Sequence, residues 1–381
     1  MDNIQTAQLN LAPDVIDFGV GQPGPGLLPL ELLRKAAENR LGNDDAAYLA
    51  YGAEQGDGFF RKVLANFLSE QIQMPVEFNN FFITGGASQG LDLICTLFSR
   101  PGDTIFVEEP SYFLALRIFA DHGLNIVSLP MDEQGLNIEA LEQKLSQHTP
   151  AFLYTIPTFH NPSSVTLTAD RRNRLVQVSQ QHNLVIVADE VYHLLTYAAA
   201  PPPPLACHIE SSPIISLGSF SKIMAPGLRL GWIQTGGKLM DRLAGCGLVD
   251  SGGGLNPFTS RVMRSAIELG LLEKQLTHLK STYSKRKNAL SKALGELLPD
   301  SVRFVEPDGG FFIWLEFTDS IDTVKMLAAA RQHKVDFLPG VKFSGQNGLN
   351  NYARLSFAYY DVPDLEEGAQ RLGKAIKGYK V

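Results

Sequence analysis

The run Leu184-Val185-Ile186-Val187-Ala188-Asp189-Glu190-Val191-Tyr192 decides the fold. Five consecutive apolar residues, three of them β-branched, suit a strand buried on both faces, the usual condition of a parallel strand. The run ends in a carboxylate, Asp189, at the edge where open α/β sheets hold their ligands. Working outward, residues 81–84, 104–107, 125–129, 152–155 and 214–217 read as further short strands. Residues 91–98, 112–120 and 168–182 read as helices between them. This alternation predicts an α/β fold with a mainly parallel sheet covered by helices on both faces.

Beyond about residue 257 the pattern changes. A long helical stretch at 259–298, interrupted near Gly270, precedes strand-like segments at 311–317, around Phe337 and at 352–357. Helices are expected near 322–332 and 365–377, giving a smaller α+β domain. Residues 1–30 are rich in Gly and Pro and are expected to wrap onto the rest. The predicted organisation is an N-terminal segment, 1–40, packing on the small domain and active site; a large domain, 41–285; and a small C-terminal domain, 286–381. Pro201–Pro204 follows three alanines and reads as a surface loop within the large domain.

The chain has 381 residues, 44 % hydrophobic and 19 % charged, enough to bury a large core. Its net charge of −7 makes it a poor partner for a phosphate backbone, so nucleic acid is not expected. The apolar runs are too short to span a bilayer, so no membrane partner is expected. Met1-Asp2-Asn3-Ile4-Gln5 lacks the basic and apolar regions of a signal peptide. Cys95, Cys207 and Cys246 are few, odd in number and far apart, which fits a reducing cytoplasm and no disulfide framework. No H-E-x-x-H, C-x-x-C or G-x-x-x-x-G-K-[ST] is present, and no metal is expected.

Two motifs mislead when read alone. Gly19-Val20-Gly21-Gln22-Pro23-Gly24 satisfies G-x-G-x-x-G, with Asp44 and Asp45 at a plausible distance for a ribose contact. Pro23, Pro25 and Pro29 keep the segment irregular, so a loop lining a site is the better reading. Gly86-Ala87-Ser88-Gln89-Gly90 satisfies G-x-S-x-G in a strand–turn–helix context. A hydrolase would use Ser88 as nucleophile with Asp189 and His333. No oxyanion segment precedes it, and the upstream strands such a sheet requires are missing. The turn has a second use: free N–H groups and the positive end of a helix dipole bind an anion with no nucleophile.

Four segments together carry the chemistry: the anion turn 84–89; Asp189-Glu190-Val191-Tyr192; Ser219-Phe220-Ser221-Lys222 with Pro226-Gly227-Leu228-Arg229-Leu230-Gly231-Trp232; and Tyr352-Ala353-Arg354-Leu355-Ser356-Phe357. The turn and Arg229 could hold a phosphate, Lys222 could form a Schiff base, Asp189 could keep a pyridine nitrogen protonated, and Arg354 could clamp a carboxylate. With Ala50-Tyr51-Gly52, Pro110-Ser111-Tyr112 and His160-Asn161-Pro162, these segments make the chain resemble fold-type I pyridoxal-phosphate enzymes of the class I/II aminotransferase family. The aminoadipate and kynurenine aminotransferase type, which includes the enzyme-like half of some bacterial regulators, is the most similar. The segments run in family order over almost the whole chain, and the Ser-Lys…Pro-Gly-x-Arg-x-Gly-Trp block is the most specific.

The resemblance implies a role for each residue. Lys222 would be the Schiff-base lysine and proton shuttle, and Asp189 would face the pyridine nitrogen. Asn161 and Tyr192 would bond the cofactor's phenolic oxygen, and Tyr112 would stack on its ring. Ala87, Ser88, Gln89, Ser219, Ser221 and Arg229 would hold the phosphate. Tyr51 would reach the neighbouring subunit's site in an isologous homodimer. Arg354 would bind the substrate α-carboxylate, with Asn161, Gly21, Tyr51 and Tyr112 around the substrate. The implied activity is ping-pong transfer of an amino group from an L-amino acid to a 2-oxo acid through pyridoxamine phosphate, with 2-oxoglutarate a plausible acceptor. Leu27, Leu28, Tyr51 and Phe311 would make an apolar pocket for aromatic, large aliphatic or aminoadipate-like donors. Arg34 is the candidate to meet a distal carboxylate.

The sequence departs from the family's Asn-Pro-Thr-Gly, reading Asn161-Pro162-Ser163-Ser164. Phe59-Phe60-Arg61 stands where a Leu-Arg pair is common. The regulator relatives carry a DNA-binding extension, and this sequence starts at the enzyme-like part, so transcription-factor function is not expected. A pyridoxal-phosphate lyase or decarboxylase uses the same cofactor frame and remains open, as does the Ser88 hydrolase.

Overall fold

The computed structural model describes residues 8–9, 11–12, 14–42, 46–318 and 321–379. The chain starts with β1 (Ile16–Asp17), α1 (Leu30–Leu41) and α2 (Gly58–Ile72). An alternating region follows: β2 (Phe81–Thr84), α3 (Ala87–Phe98), β3 (Thr104–Glu109), α4 (Phe113–Asp121), β4 (Asn125–Asp132), β5 (Gly135–Leu136), α5 (Ile138–Leu145), β6 (Leu153–Thr155), α6 (Ala169–His182), β7 (Ile186–Asp189), β8 (Ile214–Ser219) and β9 (Gly231–Gln234). Helices α7 (Gly237–Ala244), α8 (Gly247–Asp250), α9 (Pro257–Glu268) and α10 (Leu271–Leu297) come next. The remainder is β10 (Val302–Arg303), β11 (Phe312–Phe317), α11 (Thr323–Gln332), β12 (Val335–Asp336), β13 (Leu338–Pro339), β14 (Tyr352–Ser356) and α12 (Val362–Gly378).

Eight strands form the main sheet in the order β2-β9-β8-β7-β6-β3-β4-β5. From β8 to β4 neighbouring strands are parallel, as the continuous apolar runs predict. Every residue of β7 and β8 is buried. The sequence reading did not identify β9, which lies antiparallel between β2 and β8 and joins the anion turn to the lysine segment. Helix starts follow side-chain capping chemistry: Asp57, Asn137, Thr168 and Asp322 each accept a backbone N–H from the first turn of the helix that follows. Gly270, at φ +67°, separates α9 from α10 at the expected break.

A second sheet, β10-β11-β14-β13, is antiparallel throughout. α10, α11 and α12 pack with this part of the chain, and α10 runs unbroken through residues 285 and 286. β1 pairs in parallel with β12, and Phe18 is fully buried against Gly368 of α12, so the start of the described chain wraps onto its end. The Pro201–Pro204 run connects β7 to β8 within one sheet, as expected, but it is not wholly a surface loop. Pro204, Leu205 and Ala206 are buried, because the Glu190 carboxylate accepts the Leu205 and Ala206 N–H groups at 2.8 and 3.2 Å. Residues 1–5, read for a signal peptide, and Asp44 and Asp45 lie outside the described residues. Among the described residues, no helix is long and apolar enough to cross a membrane, and no cluster of three or more His, Cys, Asp or Glu could hold a metal ion.

Gly218 of β8 faces Trp232 of β9, and a Cβ there would lie 2.0 Å from the indole. Gly218→Ala should therefore destabilise the protein by about 2 kcal/mol or more through overpacking, read as a lower urea midpoint at unchanged m-value.

Candidate active site

The larger sheet delivers its chemistry at strand ends. β2 ends in a tight turn whose Gly86, at φ +101°, also caps α3. A side chain at Gly86 would strike the Arg229 guanidinium at 2.8 Å, so the absence of a Cβ lets the arginine reach the turn. The first α-helical bond of α3 is donated by Gly90 to the Gly86 carbonyl. The amides of Ala87, Ser88 and Gln89 therefore precede the helix's own ladder and are directed towards the turn. Gln89 also accepts the Gly85 N–H through its side chain at 3.1 Å. Ser219 ends β8, and its hydroxyl accepts the Ser221 N–H at 3.1 Å. Amides of the turn, the Ser219 hydroxyl at the neighbouring strand end and the exposed Arg229 guanidinium against Gly86 make an anion cradle.

β7 ends in Asp189, which is buried. Its Oδ2 accepts from the Tyr154 hydroxyl at 2.8 Å, while Oδ1 is buried without a partner. Burial holds this carboxyl above the usual carboxylate range, against the opposing pull of the Tyr154 hydroxyl and the Val191 amide. An ionised carboxylate with one free buried oxygen is completed by a cationic N–H donor. Behind it, His160 Nδ1 lies 2.9 Å from the Ser163 hydroxyl, and His160 Nε2 lies 3.2 Å from the buried Glu108.

Lys222 follows β8, and its amine donates to the Gly21 carbonyl at 3.1 Å. Tyr192 and Phe311 face that amine at 5.9 and 5.7 Å. Burial first, and then the Arg354 charge, push the amine down to about 8, so it is neutral far more often than an exposed lysine. Arg354, in β14 of the smaller sheet, is buried and donates to Asn161 Oδ1 at 3.0 Å and to the Gly19 carbonyl at 2.7 Å. Its guanidinium carbon lies 4.2 Å from the Phe312 ring, 5.1 Å from Phe343 and 5.8 Å from Phe113. Burial lowers Arg354 to about 10, and its Nε is buried without a partner. Burial holds the Tyr192 hydroxyl well above the usual phenol range. Tyr112 caps α4, and burial, reinforced by the Asp189 charge, pushes its hydroxyl up to about 12.

Contacts and charge interactions thus link Lys222, Asp189, Tyr192, Asn161, Tyr112, Arg354 and Gly21 into one cluster, with the anion turn and Arg229 at its edge. The Gly19–Gly24 segment opens only a single 3-10 turn, Pro25–Leu27, and no α-helix; its carbonyls receive Lys222 and Arg354, a use of the motif without a nucleotide. Tyr51 is 86 % exposed and is held by little of its own chain. Ser88 is exposed, and among the described residues no hydrogen bond joins it to a histidine or to Asp189. His333 instead ends α11. Arg34 lies on the exposed face of α1, engaged by Glu31 and Glu38 at 2.6 and 2.9 Å, and does not face a distal carboxylate. Leu27 and Phe311 belong to the core; of the two, Phe311 also faces Lys222. The sequence reading missed Tyr154 and the phenyl rings around Arg354. Tyr154 lies on a strand that had been located, opposite Val187, two residues before Asp189, so strand alignment was the signal that could have found it.

A family model described as aminotransferase class I and II matches residues 13–372. The chain is 35 % identical over 371 residues to aromatic-amino-acid aminotransferase 1 of Thermococcus litoralis, covering 96 % of this chain and 88 % of that one. Its structure superposes with a TM-score of 0.90 on the kynurenine aminotransferase of Pyrococcus horikoshii solved with pyridoxamine phosphate and kynurenine (32 % identity, 96 % and 91 % covered). It superposes at 0.86 on the α-aminoadipate aminotransferase of Thermus thermophilus complexed with N-(5′-phosphopyridoxyl)-L-leucine (30 % identity, 96 % and 93 % covered).

Tyr154→Phe removes a hydrogen bond to a buried carboxylate and should cost about 1–3 kcal/mol near neutral pH. Losing that donor raises the Asp189 pKa further, so the deficit should shrink as pH falls and the carboxyl takes up its proton. Urea titrations of both proteins across that range measure it.

Proposed function

Because the chain belongs to the class I and II aminotransferases, with the fold-type I architecture and pyridoxal phosphate as cofactor, we propose that it moves the amino group of aromatic, large aliphatic or aminoadipate-like L-amino acids to a 2-oxo acid in a ping-pong exchange. The observation that carries the residue assignment is the unpartnered Oδ1 of Asp189 in the pocket that also holds Lys222 and Arg354.

The residues fit the cofactor. The amides of Ala87, Ser88 and Gln89, with Ser219, Ser221 and Arg229, would hold its phosphate. Asp189 would meet the pyridine nitrogen with its unpartnered Oδ1, and Asn161 and Tyr192 would meet the phenolic oxygen. Tyr112 would lie against the ring. Bound pyridoxal phosphate supplies the electron-poor ring that takes up the electron pair left when the substrate Cα proton departs. Lys222 would hold the cofactor through its aldehyde, and its neutral amine would be the group that moves a proton at the substrate Cα. The Gly21 carbonyl gives that amine a resting place inside the pocket. Arg354 binds the α-carboxylate with two parallel hydrogen bonds, while the surrounding phenyl rings exclude water.

Donor preference follows from the walls. The candidate Arg34 is already held by two glutamates, and Phe311, which faces the Lys222 amine, offers aromatic and aliphatic side chains an apolar wall. The names of the aromatic-amino-acid and kynurenine aminotransferase relatives agree with that choice. Exposed Leu30, Leu49, Tyr51 and Phe59 offer an apolar surface for a second copy, with Tyr51 reaching the partner's site in a homodimer. Residues 41–285 and 286–381 act as large and small domains, joined by the continuous α10.

Absorbance of the purified protein tests this reading. A visible cofactor band that disappears on adding phenylalanine alone, and returns on adding 2-oxoglutarate, is expected; Lys222→Ala should abolish the cycle. A product that has lost its carboxyl or its side chain would show lyase or decarboxylase chemistry instead. Capture of pyridoxal phosphate by the cofactor-free protein should quicken about tenfold per pH unit up to about pH 8 and level off above it, because only the neutral Lys222 amine attacks.

A further inference from the structure

Two rings that flank Arg354, Phe312 and Phe343, belong to the smaller-sheet part of the chain, and each has its backbone carbonyl held from the larger-sheet part. The Ser164 hydroxyl donates to the Phe312 carbonyl at 2.6 Å, and the Ser111 N–H donates to the Phe343 carbonyl at 2.8 Å. Ser164 sits at φ +61°, a left-handed conformation that glycine adopts more easily. It occupies the position where the family resemblance gives glycine, so this chain carries a hydroxyl at a strained backbone site. Its own N–H donates to the His160 carbonyl at 2.6 Å, closing the turn that presents Asn161 to Arg354. Ser164 thus ties together two neighbours of Arg354: the Asn161 turn and the Phe312 ring.

We propose that Ser164 is a positioning residue for recognition of the substrate α-carboxylate. Its hydroxyl fixes the Phe312 carbonyl, which sets the ring 4.2 Å from the Arg354 guanidinium and keeps the fork aimed at the carboxylate. The inference rests on the reading that Arg354 binds that carboxylate. It makes Ser164 act on amino-acid binding and not on the proton carried by Lys222.

The test compares Ser164→Gly, Ser164→Ala and Arg354→Lys holoenzymes. KM and kcat are measured for the donor amino acid, and affinity is measured for 3-phenylpropionate, a carboxylate without an amine. Ser164→Gly should raise KM and weaken 3-phenylpropionate binding by about five- to tenfold, leaving kcat within about twofold. Its melting temperature should match or exceed that of the parent, since glycine relaxes the backbone. Ser164→Ala should show the same split. A Ser164→Gly enzyme with KM and 3-phenylpropionate affinity within twofold of the parent overturns the proposal. So does one whose kcat falls while KM holds. If Arg354→Lys leaves KM and 3-phenylpropionate binding unchanged, the carboxylate reading fails first and Ser164 falls with it. An impaired Arg354→Lys beside an unimpaired Ser164→Gly removes the latch alone.

Discussion

Burying the Asp189 carboxylate at the end of β7 is the constraint around which the site is organised. An ion taken out of water costs several kcal/mol unless hydrogen bonds and opposite charge replace the lost hydration. The fold offers the Tyr154 hydroxyl, the Val191 amide and, further off, the Lys222 charge, and leaves one oxygen without a partner. The same low-dielectric surroundings lower the Lys222 amine, so one act of burial shifts the carboxyl up and the amine down.

The second requirement is that strand ends converge. β9 runs antiparallel between β2 and β8, bringing the Gly86 turn against Arg229 and the Lys222 segment beside Asp189. The smaller sheet then contributes Arg354 from the opposite side, and the Gly19–Gly21 loop bridges the two, its carbonyls engaged by one cation each. Binding groups on strands and short turns are held more firmly than groups on long loops.

Much of this was legible in residues. The run 184–188 announced a doubly covered strand, Gly270 announced a helix break, and Thr168 announced a helix start. Asp189 stood at a predicted strand end, Lys222 just after one and Arg354 within one, where their chemistry could be named, while Arg229 was located only by its spacing of seven residues from Lys222. α1 and α2 were not identified as helices. α1 is half polar, with only a weakly segregated apolar side, and α2 begins in a Gly-Phe-Phe stretch whose periodicity is weak until it packs on α9. β9 escaped because Gly231 and the preceding Pro-Gly segment resemble a loop; only pairing on both sides makes four residues a strand.

By itself the sequence determined the alternation of strands and helices, the positions of the reactive groups at strand ends, and the glycines that let backbone approach backbone, because each is a local property of residue type and spacing. The tertiary structure decided which distant groups meet. Asn161 and Arg354 are separated by 193 positions and Gly21 and Lys222 by 201, yet each pair is in hydrogen-bond contact. It also decided that Arg34 faces glutamates, that Tyr154 supports Asp189, and that phenyl rings box Arg354. Such contacts depend on sheet order and on how two sheets face each other, and the energies that select them are sums of burial over the whole core.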